Sequence, residues 1–239
     1  MRLLLGSGGL STEKRREAWS TTLDEFLGPV RRVLFVPWAL ADPDRYTRVL
    51  MERGFHAGRE IVGIHRARDP KRAVREADAV YVGGGNTFRL LARMQETGVL
   101  AEVRKRAKAG MPFIGISAGT NVACPTIRTT NDMPITWPSS PEALGLVPFQ
   151  INPHYVDGAF FLKQGARYRP YGGETRDVRL TEFHEMNDLP ILALREGSIL
   201  RVEGRKARVC GASGARLFLP RRKPRDLEVG ADVSRLLRG

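Results

Sequence analysis

Cysteine is nearly missing from this 239-residue chain: Cys124 and Cys210 are all it has, too few for a disulfide framework or a cysteine-built metal site. Histidine is scarce too, at four residues, with no H-x-x-x-H spacing among them. A metal site is therefore not expected. No apolar run approaches the roughly 18 residues needed to cross a bilayer. Met1–Leu5 is followed at once by Gly6-Ser7-Gly8-Gly9, too short for a signal-peptide core. The expectations are no membrane association and a cytoplasmic location. Acidic residues are also in deficit, 26 against 39 Lys and Arg, for a formal charge of +13. Such an excess gathers phosphates and carboxylates. The basic residues are nonetheless scattered (Arg15-Arg16, Arg31-Arg32, Arg104–Lys108, Arg205-Lys206, Arg221–Arg225), and no zinc-finger spacing, aromatic RNA-binding signature or long basic tail accompanies them. A solvated Arg-rich surface is the reading, and no nucleic-acid partner is expected.

What is present is a 42% hydrophobic composition, enough for a sizeable core, without internal repeats or low-complexity linkers. Residues 1–239 read as one domain. Short apolar runs at Leu3–Leu5, Val33–Pro37, Ile61–Ile64, Ala79–Val82 and Phe113–Ile116 alternate with helix-like stretches near Thr12–Leu27, Asp44–Gly54, Pro70–Ala77 and Thr87–Gly98. That alternation predicts βαβ units and a mostly parallel sheet covered on both faces. Prolines 125, 134, 138, 141 and 148 then break up a loop-rich stretch. Short runs follow at Phe149–Asn152, Ile191–Leu194, Ile199–Val202 and Arg208–Cys210, the last of them expected as antiparallel hairpin strands closing one sheet edge.

Gly115-Ile116-Ser117-Ala118-Gly119 is a G-x-S-x-G sequence set between a buried strand and a helix that Pro125 limits. A strand-to-helix turn this tight needs small neighbours, and it lifts the serine hydroxyl into the crevice at the carboxyl end of the sheet. Ser117 is therefore a candidate nucleophile, and such a hydroxyl needs a base. Of the four histidines, His56 and His65 precede the elbow and suit core or surface roles, and His184 lies in a charged, solvated helical stretch. His154 follows a short strand in Ile151-Asn152-Pro153-His154, at a strand end where catalytic groups are commonly carried. Its spacing alone leaves the assignment open. The N–H of Ala118, with a second N–H from the strand end Gly83-Gly84-Gly85-Asn86-Thr87, suits an oxyanion hole. Neither glycine run fits G-x-G-x-x-G, and no phosphate-binding G-x-x-x-x-G-K-[ST] loop occurs.

Taken together, Val82–Phe88, the Gly115–Gly119 elbow, the run Ala123–Pro134, Gln150–His154, Gly173–Arg176 and Arg195-Glu196-Gly197 resemble the peptidase E (alpha-aspartyl dipeptidase) family of serine peptidases. The segments occur in the family's order over most of the chain from about residue 60 to 200. The resemblance implies a three-layer α/β/α sandwich of the class I glutamine amidotransferase (flavodoxin-like) type, hydrolysis of Asp-X dipeptides without a cofactor, and a homodimer. By the same resemblance Ser117 is the nucleophile, His154 the base and Glu196, at a strand end before Gly197, the orienting acid; Asp132, placed in the conspicuous run before Pro134, is the competing acid or a brace for the site. Gly85 and Ala118 supply the oxyanion hole. Arg176 holds the aspartyl carboxylate from a loop placed to close over substrate, with Asn86 and Arg128 as further substrate contacts. Thr120 and Ile116 stand where the family more often has an alanine and an aromatic residue, and the stretch Phe160–Tyr171 is long and basic. Two alternatives remain at this stage: a related peptidase acting on another peptide end or on a β-aspartyl (cyanophycin-type) substrate, and a non-enzymatic Arg-rich binding protein.

Overall fold

A computed structural model describes residues 1–8, 11–54, 56–157, 161–170 and 173–238. The first half alternates as its periodicity requires: β1 (Arg2–Gly6), α1 (Glu13–Leu27), β2 (Arg32–Val36), α2 (Pro43–Glu52), β3 (Glu60–Gly63), α3 (Pro70–Glu76) and β4 (Val80–Val82). Then come α4 (Thr87–Glu96), α5 (Val99–Lys108), β5 (Phe113–Ile116) and the single-turn α6 (Ala118–Asn121). Helix starts are set chemically. Asp42 and Asp69 each cap a helix whose first residue is a proline, accepting from the N–H of Arg45 and Arg72, which satisfies donors that the first turn leaves open. The helix α5 is absent from the sequence reading. The helical pattern over Thr87–Gly98 predicts an end at Gly98, yet at φ +70° the chain uses that residue as a left-handed joint into a second helix.

The main sheet has seven strands in the order β11-β10-β1-β5-β4-β2-β3. β1 to β5 are parallel, and β10 (Ser198–Glu203) and β11 (Lys206–Gly211) form the expected antiparallel hairpin at one edge. Alternate residues separate onto two faces. Leu4, Phe35, Tyr81 and Ile114 pack with Trp19, Leu23 and Phe26 of α1 and Leu50 of α2. Leu3, Leu5, Val36, Val82 and Phe113 pack with Leu90, Leu91 and Met94 of α4 and Val103 of α5. This period of two through a double-sided core gives the three-layer arrangement, each such side chain contributing about 1.5–3 kcal/mol on burial.

A second sheet, which the apolar runs alone do not predict, stands beside the first. β6 (Gln150–Tyr155) and β9 (Ile191–Arg195), read as short runs beside the main sheet, lie instead in a four-stranded sheet, β13-β12-β9-β6, with β12 (Ala215–Phe218) and β13 (Arg225–Leu227) from the tail. Leu192, Leu194, Ala215 and Leu217 share the apolar cluster of the α4/α5 face. Their opposite face, through Ile191, Ala193 and Phe218, carries α7 (Arg176–Met186) by Leu180. The short strands β7 (Phe161–Gln164) and β8 (Arg167–Pro170) pair with each other, within the long basic stretch. Residues 122–149 hold no strand or helix, but they are packed, not loose: Val122, Ala123, Cys124, Ile127, Leu144 and Leu146 are buried. Backbone bonds such as Leu144 N–H to Val122 O and Ala143 N–H to Pro125 O close the segment on itself. Among the described residues no helix is long and apolar enough to cross a membrane.

Candidate active site

Ser117 stands directly after β5 at φ 53°, ψ −108°, a strained conformation for a residue with a Cβ. The two glycines of the pentapeptide are there for space. A Cβ on Gly115 would come within 2.5 Å of the Gly119 carbonyl oxygen, and Gly119 itself lies against the end of β4. The bend is tied down from behind. The Ser117 N–H donates to Gly6 O at 3.0 Å, and the Thr120 hydroxyl reaches both Gly6 O (2.7 Å) and Gly115 O (2.9 Å). Thr120, noted in the sequence only as a departure from family habit, thus fastens the elbow to β1 and β5.

His154 stands one residue before the end of β6, where the register with β9 shifts between Asn152 and Tyr155 and the backbone turns to φ 56°. An irregularity of this kind re-aims a side chain. The His154 N–H donates to Ser7 Oγ (2.8 Å), and the Ser7 hydroxyl donates to Leu194 O (3.1 Å). A buried serine just after β1 therefore locks β6 to β9 beneath the histidine. Ser7 carried no sequence signal beyond its place in a Gly-rich turn. Under the ring lies Gly8, where a Cβ would sit 2.6 Å from His154 Cε1.

These supports bring three side chains into line. The Ser117 hydroxyl lies 2.7 Å from His154 Nε2, and His154 Nδ1 lies 2.7 Å from Glu196 Oε1. Glu196 follows β9. Its hydrogen bond with His154 holds its carboxyl below the usual value, against the opposing effect of burial and with help from the charges of His154 and Arg15. The second oxygen, Oε2, is buried and accepts no hydrogen bond among the described residues.

The other predicted site residues have different partners. Asp132, the competing acid, does not meet His154. Its Oδ2 accepts from the Thr87 N–H (2.8 Å), the Thr87 hydroxyl (2.6 Å) and Thr130 Oγ1 (3.1 Å), so it caps α4. Asn86 caps the same helix through the Arg89 N–H and donates to Met133 O at 2.8 Å, which engages both ends of its amide. Arg128 is exposed and contacts Asn187 at 3.4 Å. His184 is not simply solvated: it donates from Nε2 to Leu189 O at 3.0 Å. The conspicuous run before Pro134 acts as scaffold. Thr129 Oγ1 donates to Ile151 O, Asn131 donates to Pro153 O, and Asn152 donates back to Thr129 O and Asn131 Oδ1, all bracing β6 just ahead of His154.

Gly85 is at φ +132°, and a Cβ there would meet the Ala39 carbonyl at 2.6 Å. Ala118 opens α6, so its N–H has no helical carbonyl to bond. Arg176 opens α7 after the Thr175 cap. Half-buried and without a hydrogen bond or ion pair among the described residues, its guanidinium is held below its ordinary value by burial first and by Arg179 second. The next residue, Asp177, accepts from the Tyr155 hydroxyl, which ties the first turn of α7 to the residue after His154. Phe160, Tyr171 and Gly172, in and beside the basic stretch before Arg176, lie outside the described residues. A cleft of about 430 Å³ opens over Ser117, His154, Gly8 and Gly85 and continues along α2. Among the described residues no three His, Cys, Asp or Glu side chains gather as a metal site would need.

Comparison with known proteins agrees with this architecture. Residues 2–210 match peptidase family S51. The chain is 50% identical over 240 residues to "Peptidase E" of Streptomyces coelicolor, covering 99% of this chain and 95% of that protein. It is 46% identical over 209 residues to "Probable alpha-aspartyl dipeptidase" of Drosophila melanogaster, covering 87% and 84%. A solved peptidase from an acI-B1 actinobacterium shares the fold, with a TM-score of 0.67 at 15% identity over 97% of this chain and 96% of that one. These relationships set aside the non-enzymatic reading: the chain belongs to peptidase family S51 and is a peptide hydrolase.

Proposed function

We propose that the protein hydrolyses dipeptides carrying an N-terminal aspartate, through an acyl-enzyme formed on Ser117. The observation that carries this reading is the unbroken line from Ser117 Oγ through the His154 ring to Glu196, with 2.7 Å at each contact. In this reading Ser117 attacks the scissile carbonyl carbon as His154 Nε2 takes its proton. The Nδ1–H bond to Glu196 fixes the tautomer and stabilises the imidazolium. The carbonyl oxygen, now negative, accepts from the N–H groups of Gly85 and Ala118. Collapse breaks the C–N bond, and His154 returns the proton to the departing amine. Water, deprotonated by the same histidine, then releases aspartate from the serine ester.

Arg176 takes the substrate's side-chain carboxylate. A half-buried guanidinium with no carboxylate beside it is costly to desolvate, and a forked, permanently charged donor suits a small acidic group. The 46%-identical Drosophila relative, named as a probable alpha-aspartyl dipeptidase, supports the same choice of substrate.

Hydrolysis of Asp-Leu, Glu-Leu and Asn-Leu by wild type, Ser117→Ala and Arg176→Ala tests the reading. Ser117→Ala is expected to abolish turnover with the fold intact by circular dichroism. Arg176→Ala is expected to raise KM for Asp-Leu and to remove the preference for Asp over Asn. Full activity of Ser117→Ala, or Asp selectivity undiminished in Arg176→Ala, overturns the corresponding assignment.

A further inference from the structure

The cleft extends past the elbow on the side away from α7. Its far wall is one face of α2 with the residue that caps its end, Tyr46, Val49, Leu50 and Arg53 recurring at helical spacing, and its floor is Tyr81 of β4 and Ile116 of β5. Leu50 and Tyr81 are buried, Val49 and Ile116 are half-buried, and Arg53 is exposed at the mouth. Apart from that arginine, this part of the wall offers apolar and aromatic surface. Arg53 is the one Lys or Arg among the described residues lining the cleft, and its guanidinium has no ion pair or hydrogen bond among the described residues. Asp44, an acidic residue on the same helix, is already engaged by His65 and Arg66.

Arg53 and Arg176 belong to elements on opposite sides of the main sheet. α2 packs on the face carrying Leu4, Phe35 and Tyr81. α7 covers the outer side of the second sheet, which itself packs on the other face. If α7 reads the residue before the scissile bond, the α2 cleft is left for the residue after it. A dipeptide's leaving residue carries a free carboxylate on the Cα next to the departing nitrogen, so a charged donor must meet it a short way from Ser117. An apolar wall with a single cation at its rim has that chemistry.

We propose that Arg53 holds the C-terminal carboxylate of the leaving residue, whose apolar side chain lies against Val49, Leu50 and Ile116. The inference rests on the dipeptidase reading above and adds what limits the substrate to two residues. A longer peptide would place a neutral amide where Arg53 presents charge, and a basic side chain on the leaving residue would meet it unfavourably.

The test compares kcat/KM for Asp-Leu with that for Asp-Leu-amide, which lacks the terminal carboxylate, in wild type, Arg53→Ala and Arg53→Lys. Wild type is expected to favour the free acid by about 10- to 100-fold, the worth of one charge-assisted contact. Arg53→Ala is expected to bring the ratio near unity, mainly through KM, and Arg53→Lys to keep part of it. An unchanged ratio in Arg53→Ala overturns the proposal. So does loss of the Asp-over-Asn preference with the acid-to-amide ratio intact, which would assign Arg53 to the aspartyl side chain. If wild type cleaves neither aspartyl substrate, the aspartyl reading falls by itself, and the same comparison on Leu-Leu and Leu-Leu-amide still decides Arg53. Amide turnover by the variants reports that they are folded.

Discussion

A Cβ built on Gly119 would stand 2.1 Å from the carbonyl oxygen of Val82, so the helix behind Ser117 is pressed against the last residue of β4 with no room for a methyl group. Real Cβ contacts do not approach that distance, and both neighbours are backbone. Gly119→Ala must therefore push α6 away from the sheet and shift Ser117 relative to His154. The expected outcome is a loss of about 2–4 kcal/mol in denaturant unfolding and a fall of about 10²-fold or more in kcat/KM, the usual cost of misplacing a reacting group by an ångström. An active variant of wild-type stability would show that the close approach does not constrain the elbow.

Ser117 itself is held at φ 53°, ψ −108°, where a glycine would be at ease. Holding a side chain there costs about 1–3 kcal/mol, partly offset in a glycine variant by the extra freedom of the unfolded chain, about 0.5–1 kcal/mol. Ser117→Gly is accordingly expected to be inactive and about 1 kcal/mol more stable than wild type. Chemical denaturation checks it. A less stable variant would mean that the hydroxyl's bond to His154 outweighs the strain.

The parts of this architecture that could be read in the sequence are those governed by local rules. Strands β1 to β5 show as apolar runs of the right length, and Asp42-Pro43 and Asp69-Pro70 announce helix starts. The elbow was legible because its glycines answer a local steric demand. The second sheet was not, because β6 pairs with β9 across a separation of some 40 residues, and no short-range pattern encodes such a pairing. For the same reason spacing could not choose between Glu196 and Asp132; the resemblance and the place of Glu196 at a strand end before Gly197 ranked them. The contacts made by Ser7 and Thr120 are likewise long-range, joining residues separated by 187 and 114 positions. Arg53 had no local signal at all, since its placement depends on how α2 packs on the sheet.

The two carboxylates on either side of the site separate experimentally. Asp132 accepts from both the N–H and the hydroxyl of Thr87, so Asp132→Ala removes a helix cap and is expected to cost about 1–2 kcal/mol of stability. Its effect on kcat comes only through the strand end before α4, and Asp132→Asn, which keeps an acceptor oxygen, is expected to recover most of both. Glu196→Gln leaves the packing in place and is expected to lower kcat by about 10³- to 10⁴-fold with little change in KM, as loss of the tautomer-fixing group does elsewhere. Steady-state kinetics on the three variants decide it, and a larger kcat defect in Asp132→Asn than in Glu196→Gln would reverse the assignment.

Acid stability gives an independent view of Glu196. Its carboxyl is held below the ordinary value by the His154 hydrogen bond, and burial opposes the shift without cancelling it. A carboxyl with a lower pKa in the folded chain contributes stability that is fully present above its unfolded pKa, about 4.3, and is lost as pH falls through the folded value. Wild type should therefore exceed Glu196→Gln in Tm at neutral pH, with the gap closing as the medium is taken from about pH 6 to pH 3. Glu196 is one-third exposed, so the gap should also shrink in high salt. Thermal melts of both proteins across that pH series provide the check: parallel curves would show that the contact with His154 does not hold the Glu196 carboxyl in its charged form.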